Sequence, residues 1–238
     1  LKEVVVARFI APRAMAFPEA ISVGDVMRPN FGVFGQVVTG VFSVLLCAGI
    51  LGAQVGAIGY IFNLSPRIDA VYGTLIGTCI VIIYDTIGGM RSVVATDVLQ
   101  FAILAVGIPV TLFLGIQKAG GWAAVTAALP PAHLELFGTI TPLGLASLFL
   151  TFVLGETLVP PYVRRLLISR SKRAVGSGVL ASGLFSIPFF AITGLIGLVA
   201  IALSPEIDAN LALPSLIQNA LPVGLRGLLI ASVMAVLM

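Results

Sequence analysis

An acid set into an apolar helix can attract a cation, and the stretch YDTIGGMRSVVATDVLQ, residues 84–100, holds two acids, Asp85 and Asp97, with Arg91 between them. From Asp97, the residues Gln100, Leu104, Gly107 and Thr111 follow in alternating steps of three and four, so a helix puts an acid, an amide, a glycine and a hydroxyl on one face. An ionisable group at depth is costly unless it is solvated or paired, so this face is expected to turn toward protein or water rather than lipid. An anionic group at the inner mouth of a polar path suits a cation-coupled carrier. A third acid, Glu156 in FVLGETLVPP, has its nearest bases at Arg164 and Arg165, about 12 Å away along a helix and too far to pair within it. Glu156 could tune coupling, carry a proton or touch a cationic or hydroxylated solute; the plain alternative is that it is solvated or paired with another helix. Gln54, the strongest hydrogen-bonding member of a small and polar stripe, could line a cavity or bond across to a neighbouring helix.

The elements that must position these groups follow from composition. The chain is 59% hydrophobic and only 10% charged over 238 residues, with a mean hydropathy of +1.14. That leaves too little polar surface to cover a water-soluble globule. Since a span needs roughly 20 apolar residues, the chain divides at its charges. Charge-free gaps lie between Arg28 and Arg67, Asp97 and Lys118, Glu135 and Glu156, and Arg173 and Glu206, with further runs over 70–87 and 221–238. These six runs are continuously apolar rather than alternating, so among structures that satisfy their own backbone in lipid they read as helices, not barrel strands. The fold class expected is an all-α, polytopic membrane helix bundle. The chain opens without a signal peptide's basic region and cleavage site and closes inside the apolar run ASVMAVLM. It therefore reads as one transmembrane domain, 1–238, truncated at both ends.

Orientation comes from the bases. Ten of the thirteen lysines and arginines fall on the side of the first loop; Arg67, Lys118 and Arg226 fall on the other. The positive-inside bias makes the first side cytoplasmic. The net charge of +3 then bears on topology and lipid contact, not nucleic acid. On the cytoplasmic turn, Gly88-Gly89 is expected to stop one helix and Ser92 to cap the next. Asp85, near the end of the first helix, then pairs with Arg91. Gly49, Gly52, Gly56 and Gly59 share a helix face that allows close packing, and Gly73 and Gly77 repeat the theme. Pro188 predicts a kink in a helix over about 174–203. Cys47 and Cys79 lie in apolar runs and read as packing residues.

Enzyme chemistry finds little support. The single histidine, His133, lies in an expected outer loop, which excludes a His-rich metal centre. Tyr84-Asp85 lacks the second acidic motif of an intramembrane aspartyl protease, no Ser/His/Asp triad is evident, and GSGVLASG lacks the lysine of a phosphate loop.

Several motifs together resemble the sodium:solute symporter family. GGMRSVVATDVLQ resembles its GG-x-x-A-V-x-x-T-D-x-x-Q signature. FPEAISVGDVMRPNFG is similar to its cytoplasmic lead into the third core helix, PPYVRRLLISRSKRAV to its loop after the sixth, and LPVGLRGLLIASVMAVLM to the start of its eighth. The likeness covers nearly the whole chain in order. It implies an inverted-repeat, LeuT-like core of which this chain supplies the third through eighth helices, working by Na⁺-driven alternating access around a midplane site. By this resemblance Asp97 lies on the sodium path; Thr96 and Gln100 are read beside it on the ion route, and Gln54 and Glu156 near the central cavity. The sodium site itself is incomplete, because the first core helix and the serines expected after Met238 are missing. Na⁺ is the coupling ion, a small organic solute the cargo, the lipid bilayer the surroundings, and no cofactor is expected. The place implied is the plasma (inner) membrane. Two departures leave a sugar unsupported as the solute: Pro161 stands where sugar carriers have a bulky inner gate, and FSIPFFAITGLIG lacks their lysine. The alternative is a membrane sensor domain of a signalling protein.

Overall fold

The computed structural model describes residues 4, 6, 17, 20–64, 68–135, 140–152, 159–167 and 171–237. Among the described residues every regular element is helical: α1 (Val23–Leu64), α2 (Ala70–Lys118), α3 (Trp122–Ala128), a 3-10 turn (Pro131–His133), α4 (Pro142–Leu150), α5 (Pro160–Leu167), α6 (Lys172–Leu203), a second 3-10 turn (Ala209–Leu211), α7 (Ala212–Ala220) and α8 (Val223–Leu237). Four stretches are long and apolar enough to cross a bilayer: Val23–Gly59, Ala70–Gly88, Val94–Lys118 and Arg173–Leu203. The remaining two apolar runs appear as shorter helices, α4 with 9 residues and α8 with 15. Large apolar side chains face outward along these helices, Phe34 at 81% exposure and Ile87 at 82%. Lipid tails are as apolar as such side chains, so this surface suits a bilayer, whereas in water it would be an aggregation liability.

The expected break at Gly88-Gly89 is corrected by the structure, which carries α2 through it as one helix of 49 residues. Glycine costs only about 1 kcal/mol against alanine inside a helix, and the linker Gly88–Val93 has no proline to force a stop. Ser92 consequently does not act as an N-cap. At 49 residues α2 holds more residues than one crossing needs. Two span-length segments therefore lie within it, on either side of the polar stretch. Along α2 three hydroxyls are satisfied locally, Thr78 donating to the carbonyl of Thr74 (2.7 Å), Thr86 to Ile82 (2.6 Å) and Thr111 to Gly107 (2.8 Å). Such bonds let a hydroxyl sit in an apolar setting without another partner. α6 continues through Pro188.

The chain forms two compact units, Leu1–Leu51 with Thr139–Pro188, and Gly52–Gly138 with Phe189–Met238. In the first, α1 is broken at Gly32, whose φ of 65° and ψ of −165° leave the helical region and suit a residue without a Cβ. Before the break, Ser22 and Asp25 cap reciprocally: the Asp25 amide donates to Ser22 Oγ (3.2 Å), and Asp25 Oδ2 accepts from the Ser22 amide (3.0 Å), the geometry of a capping box. After it, Gln36 Nε2 reaches back to Asp25 Oδ1 at 3.0 Å. Gly24 makes the fold-back possible, since a Cβ there would stand 3.1 Å from the Gln36 carbonyl.

The second unit holds the buried core. The end of α1 and the start of α2 form an antiparallel hairpin: Ile58 lies against Gly77, Phe62 against Gly73, and Gly59 against Thr74 and Ala70. One apolar cluster joins Ile108 of α2, Val125 of α3, Ile196 and Val199 of α6 and Leu216 of α7. A second joins Ile61 of α1, Ile217 of α7, and Leu229 and Ile230 of α8. α7, though only 9 residues long, contributes to both.

Candidate ion route and cavity

Asp97 sits one turn inside the second span of α2, which runs Val94–Lys118. Thr96, Asp97 and Gln100 are all half-buried, so the signature turn is neither fully solvated nor sealed. From Asp97 to Lys118 is roughly 32 Å along the axis, close to the thickness of the hydrocarbon layer. The acid and the lysine thus mark the two ends of one crossing.

Further along the same face the geometry differs from the expectation of a polar flank. Gly107 is covered by Leu229 of α8; a Cβ on it would come within 2.9 Å of Leu229 Cγ. Thr111 is fully buried, and its hydroxyl is engaged by its own helix. One turn beyond, a Cβ at Gly115 would stand 3.1 Å from Leu216 Cδ1 and from Val199 Cγ1. The polar character of this face is therefore confined to the turns around Asp97 and Gln100, and from Leu104 onward the face is a packing seam for α8 and α7. The cause is size: glycine and threonine at four-residue intervals leave notches that branched side chains fill.

Gln54 lies half-buried on α1. A cavity of about 340 Å³ opens beside that helix, but its α1 wall is Gly52, Ala53, Gly56, Ala57 and Ile61; Asn210, Leu213 and Pro214 close it from the α7 side and Val233 from α8. Gln54 stands on the neighbouring flank. Glu156 falls outside the described residues. Gly88, Gly89, Asp85 and Arg91 are turns of the continuous helix α2, not a loop between helices. Of the glycine face on α1, Gly59 meets a neighbour, while Gly49, Gly52 and Gly56 have open space where a Cβ would be. Among the described residues no group of three or more His, Cys, Asp and Glu could hold a metal ion.

One contact had no visible signal in the sequence. Lys118 Nζ donates to the carbonyl of Asn219 at 2.6 Å, 101 residues away, and Arg226 Nη2 donates to Leu221 O at 3.0 Å. Two cations from different helices thereby cap the carbonyl end of α7, where the helix dipole is negative. Replacing Lys118 by Met should remove a charge-assisted bond and lower the melting temperature of the purified protein by about 2–4 °C, the equivalent of about 1 kcal/mol. Lys118→Arg should hold within a degree, and an unaltered melting curve for Lys118→Met would show the contact to be energetically silent.

The family model of the sodium:solute symporter family matches residues 3–238. Human sodium/glucose cotransporter 4 is 29% identical over 87% of this chain and 34% of its own length. The Staphylococcus aureus sodium/proline symporter is 24% identical over 78% of this chain and 39% of its own. The chain therefore spans between a third and two-fifths of the length of these curated relatives, whose names are those of carriers rather than enzymes. Its long apolar helices and this match together make it an integral membrane protein. By extent of match and by the T-D-x-x-Q element at Thr96, Asp97 and Gln100, the chain belongs to the sodium:solute symporter family.

Proposed function

We propose that the chain is a single transmembrane domain, the helical core portion of a sodium-coupled symporter that moves a small organic solute across the plasma membrane by alternating access. The observation that carries this reading is the setting of Asp97: a half-buried acid one turn inside a span, at the polar end of a face that from Leu104 onward packs against α8 and α7. An anion so placed is exposed enough to meet a hydrated cation and dry enough to hold it. Thr96 and Gln100 flank the route, Gln54 and Glu156 serve the solute cavity, and no cofactor takes part. The relatives are named for a sugar and for an amino acid, two solute classes with little chemistry in common, so the solute is assigned here only as small and organic. Counterflow by the full-length protein in proteoliposomes with radiolabelled glucose and proline, each with Na⁺ and with K⁺, tests it. At least one solute should exchange faster with Na⁺, and ²²Na⁺ entry should saturate. Sodium entry that stays linear with concentration and indifferent to both solutes would overturn the reading.

A further inference from the structure

The face of α2 that begins at Asp97 ends in a steric lock. Leu229 is 2% exposed and sits on Gly107 so closely that even a methyl group there would overlap it. Leu104, one turn closer to Asp97, packs against the same cluster, with Val233 and Met234 of α8 beside it. Within this turn the helix is also at its weakest. Pro109 has no N–H to give the carbonyl of Ala105, and a missing rung lets a helix bend. A bend here would swing Asp97, roughly 15 Å away along the axis, across the inner end of its path.

We propose that Gly107 is a positioning residue for sodium coupling: with Leu229 seated in its notch, the Asp97-bearing half of α2 keeps one angle to α8, and that angle sets where the carboxylate meets the ion. This rests on the reading of Asp97 as part of the ion route. The lock acts by shape: Thr111, one turn on, is fully buried and gives its hydroxyl hydrogen to the Gly107 carbonyl.

The test is ²²Na⁺ uptake into proteoliposomes holding the full-length protein with Gly107→Ala, Leu229→Ala or both. Gly107→Ala should raise the half-saturating sodium concentration at least fivefold while the maximal rate per folded molecule stays within twofold. Leu229→Ala, which empties the notch, should also shift it. The double variant, with methyl and cavity matched, should return to within twofold of the parent. A merely structural role would lower the yield of folded protein without moving half-saturation. Half-saturation unmoved in both single variants, or a shift in Gly107→Ala that Leu229→Ala does not relieve, overturns the proposal. Asp97→Asn run alongside separates the two ideas: if it abolishes sodium activation and the Gly107 series is flat, only the lock fails, whereas if it leaves sodium activation intact, both fall.

Discussion

Asp97→Asn should raise the sodium concentration that half-activates uptake by about 10- to 100-fold. The size follows from electrostatics. Unit charges about 4 Å apart at an effective dielectric near 20 attract by about 4 kcal/mol, and stripping water from ion and carboxylate offsets part of this. If about 1.4–2.8 kcal/mol survives, the change is one or two powers of ten. Asp97→Glu should recover part of the loss, because the charge is kept and only its reach changes. Sodium titrations of ²²Na⁺ uptake in proteoliposomes decide the matter, and an unchanged half-saturation in Asp97→Asn would remove this acid from the route.

The second large effect expected is structural. Gly59→Val should destabilise the protein by about 1–3 kcal/mol, the usual cost of overpacking. A Cβ at Gly59 falls on Thr74 Oγ1 and within 2.9 Å of the Ala70 carbonyl oxygen. The hydroxyl could rotate away, but the carbonyl belongs to the first turn of α2 and cannot. That turn is itself fixed, since Asp69 caps it through the Val71 amide at 2.9 Å. Gly49→Ala is the matching control on the same helix. Nothing lies within 4 Å of a Cβ there, and alanine is worth up to about 1 kcal/mol more than glycine in a helix. Thermal melting followed by Trp122 fluorescence should therefore show a fall of several degrees for the first and no fall for the second. Equal melting of both variants would mean that the hairpin contact contributes nothing.

Much of the architecture could be read from where charges are missing, because a bilayer tolerates few of them and each apolar run must be long enough to cross. The runs over 34–62, 98–117 and 174–203 reappear as long helices for that reason. The small residues at Gly73 and Gly77 were also legible, since close helix contact needs them whatever the partner. Which members of a glycine face are used was not legible. Gly49, Gly52, Gly56 and Gly59 share one periodicity, yet only Gly59 lies near enough to the connection at 65–69 for α2 to reach it. The pair Gly88-Gly89 misled for a related reason: glycine permits a stop without imposing one, and with no proline beside it the helix continues. Thr111 was counted as a polar lining group from its position, but a hydroxyl can turn onto its own carbonyl ladder, which periodicity does not record. The bond from Lys118 to Asn219 joins residues 101 apart and has no local pattern at all. For the candidate site, the sequence marked Asp97 by its type and spacing, and the structure adds that its turn is half-buried; which groups face it is not written in periodicity, because neighbours from other helices are not.

The elbow at Gly32 has a consequence for how the molecule is made. Every group that holds it, from Ile21 to Gln36, lies within a short contiguous segment, and its longest link joins residues 11 apart. Closing a loop of that size takes on the order of 10–100 ns, while a ribosome adds a residue in roughly a tenth of a second. The corner is therefore a local fold, its links lying within one short segment and closing far faster than the chain grows.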